Sequence, residues 1–405
     1  MTTRRRTVLR GAAVFDGTGS PPADADVVIE GNRILDVGRG LDGDDAVDLT
    51  AGTVLPGVFD CHVHFTFSGD LDLLAGMMRP FSLRYYEAIA NMSATLRGGV
   101  TSVREASGAD LGVKTAVERG LVPGPRMQIS IAMLSQTGGH GDQRAPSGGC
   151  FGWDRAFPGN PGGLVDGPDE MRRRVRELIR DGADVIKVAT SGGVLSTNDD
   201  PRHGHFRDEE LVVLVQEASA AGRFVMAHAQ GTDGIKAAVR NGVRSVEHGI
   251  FLDDEAISMM LERGTWLVPT LSAPRAVIAA AERGARLPDL VVRKARDVVD
   301  VHTESFARAV RAGVKIAMGT DSGVGPHGHN LDELSLMAAC SLMEPLDAWV
   351  AATSSAAALC GVDEQLGRIE PGFLADLTVI DGDPRDLEDL TGRVRGVWKD
   401  GVAQR

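Results

Sequence analysis

The sequence has little that would suit an exported or membrane-bound protein. It has only four cysteines in 405 residues, none of them in a CxxC pair: Cys61, Cys150, Cys340 and Cys360. Such scattered cysteines predict a reduced, cytoplasmic protein without a disulfide framework. No apolar run approaches the roughly 20 residues that span a bilayer. No apolar signal-peptide core follows the arginines near Met1.

Positive charge is also scarce. Lysine and arginine total 43 against 56 acidic residues, which gives a formal net charge of -13. Proteins that bind nucleic acid broadly need basic patches to replace phosphate counterions, so this class is excluded. We therefore expect a small-molecule substrate, no nucleic-acid or membrane partner, and a homo-oligomer.

Apolar residues, by contrast, are plentiful, and in the middle of the chain they form short Val/Ile-rich runs separated by helical patterns. Runs of this kind are typical of buried parallel strands, since helices cover the outer face of the sheet. Eight such units predict an α/β fold, a (β/α)8 TIM barrel over residues 56–364, with an open doubly wound sheet as the alternative. The strand runs are Thr53–Phe59, Thr101–Arg104, Met127–Ile131, Asp184–Ala189, Phe224–Ala227, Ser245–Glu247, Trp266–Thr270 and Lys315–Met318.

The two ends of the chain have a different pattern. Short alternating segments broken by glycines, such as Asp26–Glu30 and Val394–Trp398, indicate antiparallel strands. We predict that residues 1–55 and 365–405 form one small β-sandwich domain. Residues 134–167 are the longest stretch without periodicity, and a loop of that length in a compact domain is usually functional.

Polar residues fall where the predicted strands end. His62 and His64 follow the first strand, and on extended backbone two residues of this spacing point to the same face. His228, His248 and Asp321 follow later strands. Barrel enzymes place their active sites at these carboxyl ends, so we expect the side chains to meet. Any one of these histidines alone could be an ordinary core residue.

Three further features add to this pattern. Lys187 lies inside a strand run, where an unpaired ammonium is costly to bury. The spacing of His203 and His205 repeats the His-x-His pattern, but without a strand before it, which indicates a solvated loop. His327 lies in the loop that follows Asp321, which would overhang the site.

These motifs, in this order, resemble the metal-binding signatures of the amidohydrolase superfamily. Closest in character are its imidazolonepropionase-like and Xaa-Pro dipeptidase-like members, which share the segment Thr137–Asp142. The resemblance covers nearly the whole chain and is carried by Pro56–His64, Ile186–Val188, Ala227–His228, Glu247–Gly249, Gly319–Ser322 and the C-terminal Gly367–Ile380.

The resemblance implies a site with two divalent ions, usually zinc. His62, His64 and Asp321 would hold the first ion. His228 and His248 would hold the second. A carboxylated Lys187 (N6-carboxylysine) would bridge the two ions, which answers the problem of burying a cation.

The resemblance also implies a mechanism in which metal-activated hydroxide attacks the substrate. Asp321 would shuttle the proton, and His140 would stabilise the carbonyl oxygen. We expect His140, Gln230 and His327 to contact the substrate. Gln230 is a departure, because dipeptidase-like relatives often have at this position a tyrosine that resembles a binder of the substrate's α-carboxylate. Arg104 is expected to be a buried structural partner.

The predicted function is hydrolysis of a C–N bond, amide or peptide-like, in a small substrate such as a dipeptide or an N-acyl amino acid. A carbamate, a urea or a cyclic amide of the imidazolone or lactam type is an alternative substrate. A metal-dependent isomerase or decarboxylase on the same fold is a second alternative, since fold alone does not exclude it. The third is a binding protein that has lost catalysis, against which the complete ligand set argues.

Overall fold

The computed structural model describes residues 5–144, 147–149, 156–341 and 343–405. Within these ranges the strands are β1 (Arg6–Arg10), β2 (Ala13–Val14), β3 (Ala23–Asp24), β4 (Asp26–Glu30), β5 (Arg33–Gly38), β6 (Asp45–Asp48), β7 (Gly52–Pro56), β8 (Val58–Val63), β9 (Val100–Glu105), β10 (Arg126–Ile129), β11 (Met133–Leu134), β12 (Val185–Ala189), β13 (Phe224–Ala229), β14 (Ser245–His248), β15 (Trp266–Val268), β16 (Leu377–Asp381), β17 (Val394–Lys399) and β18 (Val402–Ala403). The helices are α1 (Leu73–Met78), α2 (Leu83–Arg97), α3 (Leu111–Glu118), α4 (Pro168–Arg180), α5 (Asp208–Ala220), α6 (Thr232–Arg240), α7 (Asp254–Arg263), α8 (Ser272–Glu282), α9 (Asp289–Ala312), α10 (Asp332–Ser341), α11 (Pro345–Ala352), α12 (Ser354–Cys360) and α13 (Leu390–Arg393).

The middle of the chain is α/β, as predicted, with strands that pair in parallel. One sheet has the order β10-β9-β8, and a second has the order β11-β12-β13-β14-β15. Every residue of β8, β9, β12 and β14 is buried. Strands of this kind read as continuous apolar runs because helices cover them, which is why the sequence pattern identified them.

Backbone hydrogen bonds continue the parallel pairing beyond these two sheets. The amide of Asp184 donates to the Ile129 carbonyl at 2.8 Å, next to β10 and β12. The predicted eighth strand, Lys315–Met318, is an isolated bridge at Ile316 rather than a regular strand. It still lies between β15 and β8, because the Leu267 amide donates to the Lys315 carbonyl at 2.8 Å and the Cys61 amide donates to the Met318 carbonyl at 2.9 Å.

The helices between the strands begin and end at recognisable signals, of which α7 is an example. The Asp253 side chain accepts a hydrogen bond from the Ala256 amide and caps the helix. Asp254 and Glu255 lie in the first turn, where negative charge favours the helix dipole. Gly264 ends the helix in the left-handed region, with φ of 65°. The short connection after β14 is thereby held in place.

The two chain ends share a sheet. Its order is β18-β17-β16-β7-β2-β3, and β7 pairs antiparallel with β16 over five residues. A second sheet, β5-β4-β1-β6, contributes to the same apolar cluster, which includes Leu9, Ile34, Val54, Val379 and Trp398. The domain boundaries at residues 55 and 365 remain predictions.

The helices and the cysteines were both subjects of expectations from composition. None of the described helices combines the length and the apolarity needed to cross a membrane. Cys61, Cys340 and Cys360 are free thiols, and Cys150 lies outside the described residues.

Trp349 joins the helix layer to the C-terminal part of the chain. The side chain lies on α11, is fully buried and donates from Nε1 to the Pro384 carbonyl at 2.9 Å. Trp349→Ala should lower the free energy of unfolding by about 3–5 kcal/mol, because it removes the largest buried side chain of this region. Trp349→Phe should cost about 1–3 kcal/mol, since it leaves the buried carbonyl unpaired. Urea unfolding measures both, and exposed Leu121→Ala is the control. A Trp349→Ala variant as stable as the control would show that Trp349 does not stabilise this part of the fold.

Candidate active site

Four of the predicted metal ligands meet at the carboxyl ends of the parallel strands. His62 lies on β8, His64 follows it and His248 ends β14, while Asp321 follows the bridge at Ile316. The Asp321 Oδ1 atom lies 3.1 Å from His64 Nε2 and 3.4 Å from His62 Nε2. Ligand atoms of His62, His248 and Asp321 all lie within 4.8 Å of one another, close enough to share one ion.

Lys187 and His228 complete this group. The Lys187 Nζ atom lies 3.3 Å from His62 Nε2, and the side chain is 1% exposed. Among the described residues, no carboxylate lies within ion-pair distance of Lys187. The His228 ring centroid lies 4.6 Å from that of His248, and its Nε2 atom bonds the Gly192 carbonyl at 3.1 Å. The structure therefore brings together all six residues that were predicted as ligands.

Three of the histidines are oriented by hydrogen bonds behind the centre. In each the Nδ1 atom is engaged, which leaves Nε2 for an ion, an arrangement common to metal-ligating histidines. The Nδ1 contacts are His62 with Glu247 Oε2 at 2.8 Å, His64 with the Ser107 carbonyl at 2.9 Å and His248 with Thr270 Oγ1 at 2.7 Å.

Glu247 is a functional residue that was not predicted from the sequence. It is fully buried, and it accepts from Arg104 NH2 at 2.8 Å and from Ser245 Oγ at 2.5 Å as well as from His62. Arg104 also donates from Nε to the Cys61 carbonyl at 2.8 Å, so it is a structural partner, as expected. An acid inside a buried strand, directly before the ligand His248, was the available signal.

The protonation states of three of the four histidines suit metal binding. Burial lowers the pKa of His62 and of His228 well below the usual value, and that of His248 to about 3. Neutral imidazole is the form that binds metals. Burial opposes ionisation of Asp321, but His62 and His64 hold the pKa of this carboxyl well below its usual range. Burial opposes the charged form of His64, yet contact with Asp321 raises its pKa.

The donor set fits divalent ions. Four imidazoles and an ionised carboxylate are the nitrogen and oxygen ligands that zinc takes. Burial lowers the pKa of Lys187 to about 8, and no acid pairs with its ammonium among the described residues. A carbamate on Lys187 would replace this cation with anionic oxygen ligands.

Two ligand positions have a strained backbone. His248 and Asp321 have φ of 72° and 60°, in the left-handed region that side chains other than glycine rarely adopt. The Asp321 amide donates to the His62 carbonyl at 2.7 Å, and His302 Nε2 donates to the His248 carbonyl at 3.0 Å. These bonds hold both residues in the turn that directs them into the centre.

His140 lies beside the histidine group, in the described part of the loop 134–167. Its ring stacks on His228 with centroids 4.1 Å apart. Its Nδ1 atom lies 3.4 Å from Asp199 Oδ2, and hydrogen bonds from His140 and Ser196 hold the pKa of Asp199 well below its usual range despite burial. Lys294 on α9 donates to the Ser196 carbonyl at 2.9 Å and so fixes the loop after β12 that contains Ser196 and Asp199. Asp199 and Lys294 were missed because nothing in their local sequence distinguishes them.

Gln230 lines the same cavity as the histidine group. It is 5% exposed, and its Oε1 atom has no hydrogen-bond partner among the described residues. The expectation that Gln230 contacts the substrate stays a prediction.

Two other histidines differ from expectation. His327 does not overhang the centre: its Nε2 donates to the Phe67 carbonyl at 2.8 Å, its ring stacks on Phe65, and it is not among the described residues that line the cavity. The loop instead directs the His327 ring toward Phe65 and Phe67. His205 is buried rather than solvated, because its backbone amide donates to the Thr190 carbonyl at 2.8 Å and folds the segment against β12.

The histidine group forms one end of a cavity of about 210 Å³. One side of it is formed by aliphatic residues, which we call the apolar wall: Val194, Ile250, Val277, Val291 and Val324. A further part of the lining, which we call the mouth, is formed by the exposed Phe81 and Arg79 together with Arg84 and the acids Asp70, Asp72 and Glu87. The cavity therefore joins the histidine group to an apolar wall and to a mouth that contains both positive and negative side chains.

Comparisons with known proteins identify the family to which the chain is similar. The family model described as the amidohydrolase family matches residues 53–404. Ochratoxinase from Aspergillus niger is 35% identical, over 98% of this chain and 86% of its own length. Imidazolonepropionase from Cereibacter sphaeroides is 27% identical, over 92% of this chain and 91% of its own. A solved Xaa-Pro dipeptidase with bound methionine in its active site is 34% identical, with a TM-score of 0.90 over 98% of this chain and 99% of its own.

The chain belongs to the amidohydrolase family. The resemblance inferred from the motifs is thereby confirmed. Its structural neighbours imply a TIM-barrel-type α/β fold. The family and the hydrolases among its relatives identify it as an enzyme, a hydrolase that acts on carbon–nitrogen bonds.

Arg104 and Glu247 provide a test of how the centre is supported. Arg104→Leu should lower the free energy of unfolding by about 3–5 kcal/mol, because it leaves the Glu247 carboxylate buried without its cation. The double variant Arg104→Leu/Glu247→Leu should recover part of this loss, since it buries no charge. Chemical denaturation compares the three proteins. A double variant no more stable than Arg104→Leu would show that the ion pair is not the cause.

Proposed function

We propose that this chain is a binuclear-metal amidohydrolase that hydrolyses the amide bond of a small substrate such as a dipeptide or an N-acyl amino acid. The observation that carries the proposal is the convergence of four histidines, Asp321 and Lys187 in one cavity, where no carboxylate of the described residues forms an ion pair with the buried Lys187. Of the relatives, ochratoxinase and the Xaa-Pro dipeptidase support an amide substrate.

The ligands divide into two sets. His62, His64 and Asp321 would hold one ion, and His228 and His248 the other, with a carboxylated Lys187 between them. Zinc is the expected metal, and when bound the two ions would activate a water for attack and polarise the substrate carbonyl.

The chain's own residues then move protons and stabilise charge. The ionised Asp321 carboxylate takes a proton from the attacking water and passes it to the leaving nitrogen. His140, fixed by Asp199 and stacked on His228, donates to the carbonyl oxygen as negative charge develops there. The Gln230 side chain, whose Oε1 atom has no hydrogen-bond partner among the described residues, positions the substrate.

The proposal includes the architecture and the setting of the enzyme. Residues 56–364 form a closed (β/α)8 barrel, supported by the parallel hydrogen bonds that connect β15 to β8 through Lys315–Met318. Residues 1–55 and 365–405 form a small β-sandwich, supported by the pairing of β7 with β16. We propose a cytoplasmic homo-oligomer that acts on small molecules and has no nucleic-acid or membrane partner.

Elemental analysis and a substrate panel test the function together. The purified protein should contain close to two divalent ions per chain, and a panel of dipeptides, N-acyl amino acids, carbamates, ureas and lactams should include an amide that it hydrolyses. Chelation should abolish turnover, and added zinc should restore it. A fully active protein with at most one ion would contradict the binuclear site. A fully loaded protein that hydrolyses no member of the panel would contradict the function.

Lys187 provides a separate test of the bridge. Lys187→Ala should lose metal and activity together, with partial rescue by short carboxylic acids, which replace the carbamate oxygens. Lys187→Arg should not restore either, because a guanidinium stays cationic and is not carboxylated. Loss of a ¹³C carbamate resonance after labelling with ¹³C-bicarbonate provides a readout independent of turnover.

The matched control is Lys236→Ala, which removes a lysine that pairs with Asp253 on the helix layer. It should keep the metal and the carbamate signal. Full metal content in Lys187→Ala would exclude the bridge.

A further inference from the structure

The mouth of the cavity contains a cation that the hydrolytic machinery does not use. Arg84 lies in the first turn of α2 and lines the same cavity as Lys187 and His228. Its guanidinium carbon lies 4.6 Å from the centre of the Phe81 ring and 5.8 Å from that of Phe157. Contacts of this kind hold a guanidinium in place without neutralising it.

The other arginines near the mouth are paired with acids. Arg79 contacts Asp70 Oδ2 at 3.3 Å and Glu87 Oε2 at 3.2 Å. Arg286 contacts Asp72 Oδ2 at 2.7 Å. In the part of the chain that the structure describes, Arg84 has no carboxylate within ion-pair distance.

The position of Arg84 is unfavourable for its charge. The first turn of α2 contains no acidic residue, and the positive end of a helix dipole repels a cation. Burial lowers the pKa of Arg84, and the electrostatic interaction with Tyr85 only partly offsets this effect. An anionic ligand group would supply the missing partner, and a carboxylate matches the guanidinium fork with two parallel hydrogen bonds.

The rest of the cavity limits what carries that carboxylate. The apolar wall runs along the passage and suits an aliphatic or aromatic group. Gln230 is neutral, so it supplies no charge for an anion. Of the described residues that line the mouth, Arg84 is then the cation left without a protein anion.

We propose that Arg84 is the specificity-determining contact for substrate, pairing with the free carboxylate of an N-acylated apolar amino acid while the apolar wall holds an apolar group of the same molecule. The inference rests on the proposed amide hydrolysis and assigns its substrate class. Arg84 touches the substrate away from the bond that breaks, so it acts on binding rather than on the chemical step.

Matched substrates test this assignment. N-benzoyl-L-leucine carries the carboxylate and N-benzoyl-L-leucinamide lacks the charge, and benzoate release reports the same bond in both. Zinc-loaded wild-type protein should prefer the acid. Arg84→Gln should lower kcat/KM for the acid by roughly 10- to 100-fold, mainly through KM, because it removes a charge-assisted contact. For N-benzoyl-L-leucinamide, kcat/KM of Arg84→Gln should differ from that of wild type by less than about 2-fold.

Two further variants sharpen the comparison. Arg286→Gln makes the same change in net charge nearby, but at an arginine already paired with Asp72, so the preference for the acid should persist. Arg84→Lys keeps the charge and loses the fork, so it should recover part of the preference. Metal content and thermal unfolding of Arg84→Gln should match wild type.

Binding of N-benzoyl-L-leucine, titrated calorimetrically, separates the two proposals. Weaker binding to Arg84→Gln by a similar factor supports the anion contact even if neither substrate is cleaved, a result that would count against the proposed function alone. Equal binding to both proteins, or an equal loss of turnover on both substrates, would overturn the role of Arg84 and leave amide hydrolysis standing.

Discussion

Glu247 lies fully buried between Arg104 and His62, and it accepts hydrogen bonds from both. A carboxylate in this position without partners would cost several kcal/mol, so the three side chains stabilise the strands only as a group. Because Glu247 holds Nδ1 of His62, the Nε2 atom of that ring faces Lys187 and Asp321. The orientation of His62 is therefore set by an ion pair that lies behind the centre.

The same ion pair decides the charge of the centre. Arg104 compensates Glu247, so the buried acid nearest the site is already neutralised and does not pair with Lys187. Around Lys187 stand imidazoles whose pKa values burial has lowered, and these add no negative charge. Carboxylation would turn the buried Lys187 cation into an anion close to Asp321. The two anionic groups, carboxylated Lys187 and Asp321, would offset part of the positive charge of two divalent ions, which neutral imidazoles do not.

The ligand positions could be predicted from sequence because parallel strands force their carboxyl ends to one side, so residues at strand ends far apart in sequence must meet. Asp199 and Lys294 could not, because their contact joins a loop to a helix 95 residues away, and Lys294 fits an ordinary helical pattern. The prediction that His327 overhangs the site was wrong for a related reason. Its place after Asp321 was correct in sequence, but the direction of a loop depends on tertiary contacts such as its bond to Phe67.

The centre and the mouth are thus held by different parts of the fold. His62, Lys187 and His248 lie on buried strands, where a change in one side chain disturbs its neighbours in the sheet. Arg84 lies on α2, outside the strands, and its guanidinium contacts the rings of Phe81 and Phe157. We therefore expect a substitution at Arg84 to change substrate binding while the histidine group keeps its geometry. A rigid sheet can hold the reacting residues while the loops and helix ends around it determine which substrate is bound.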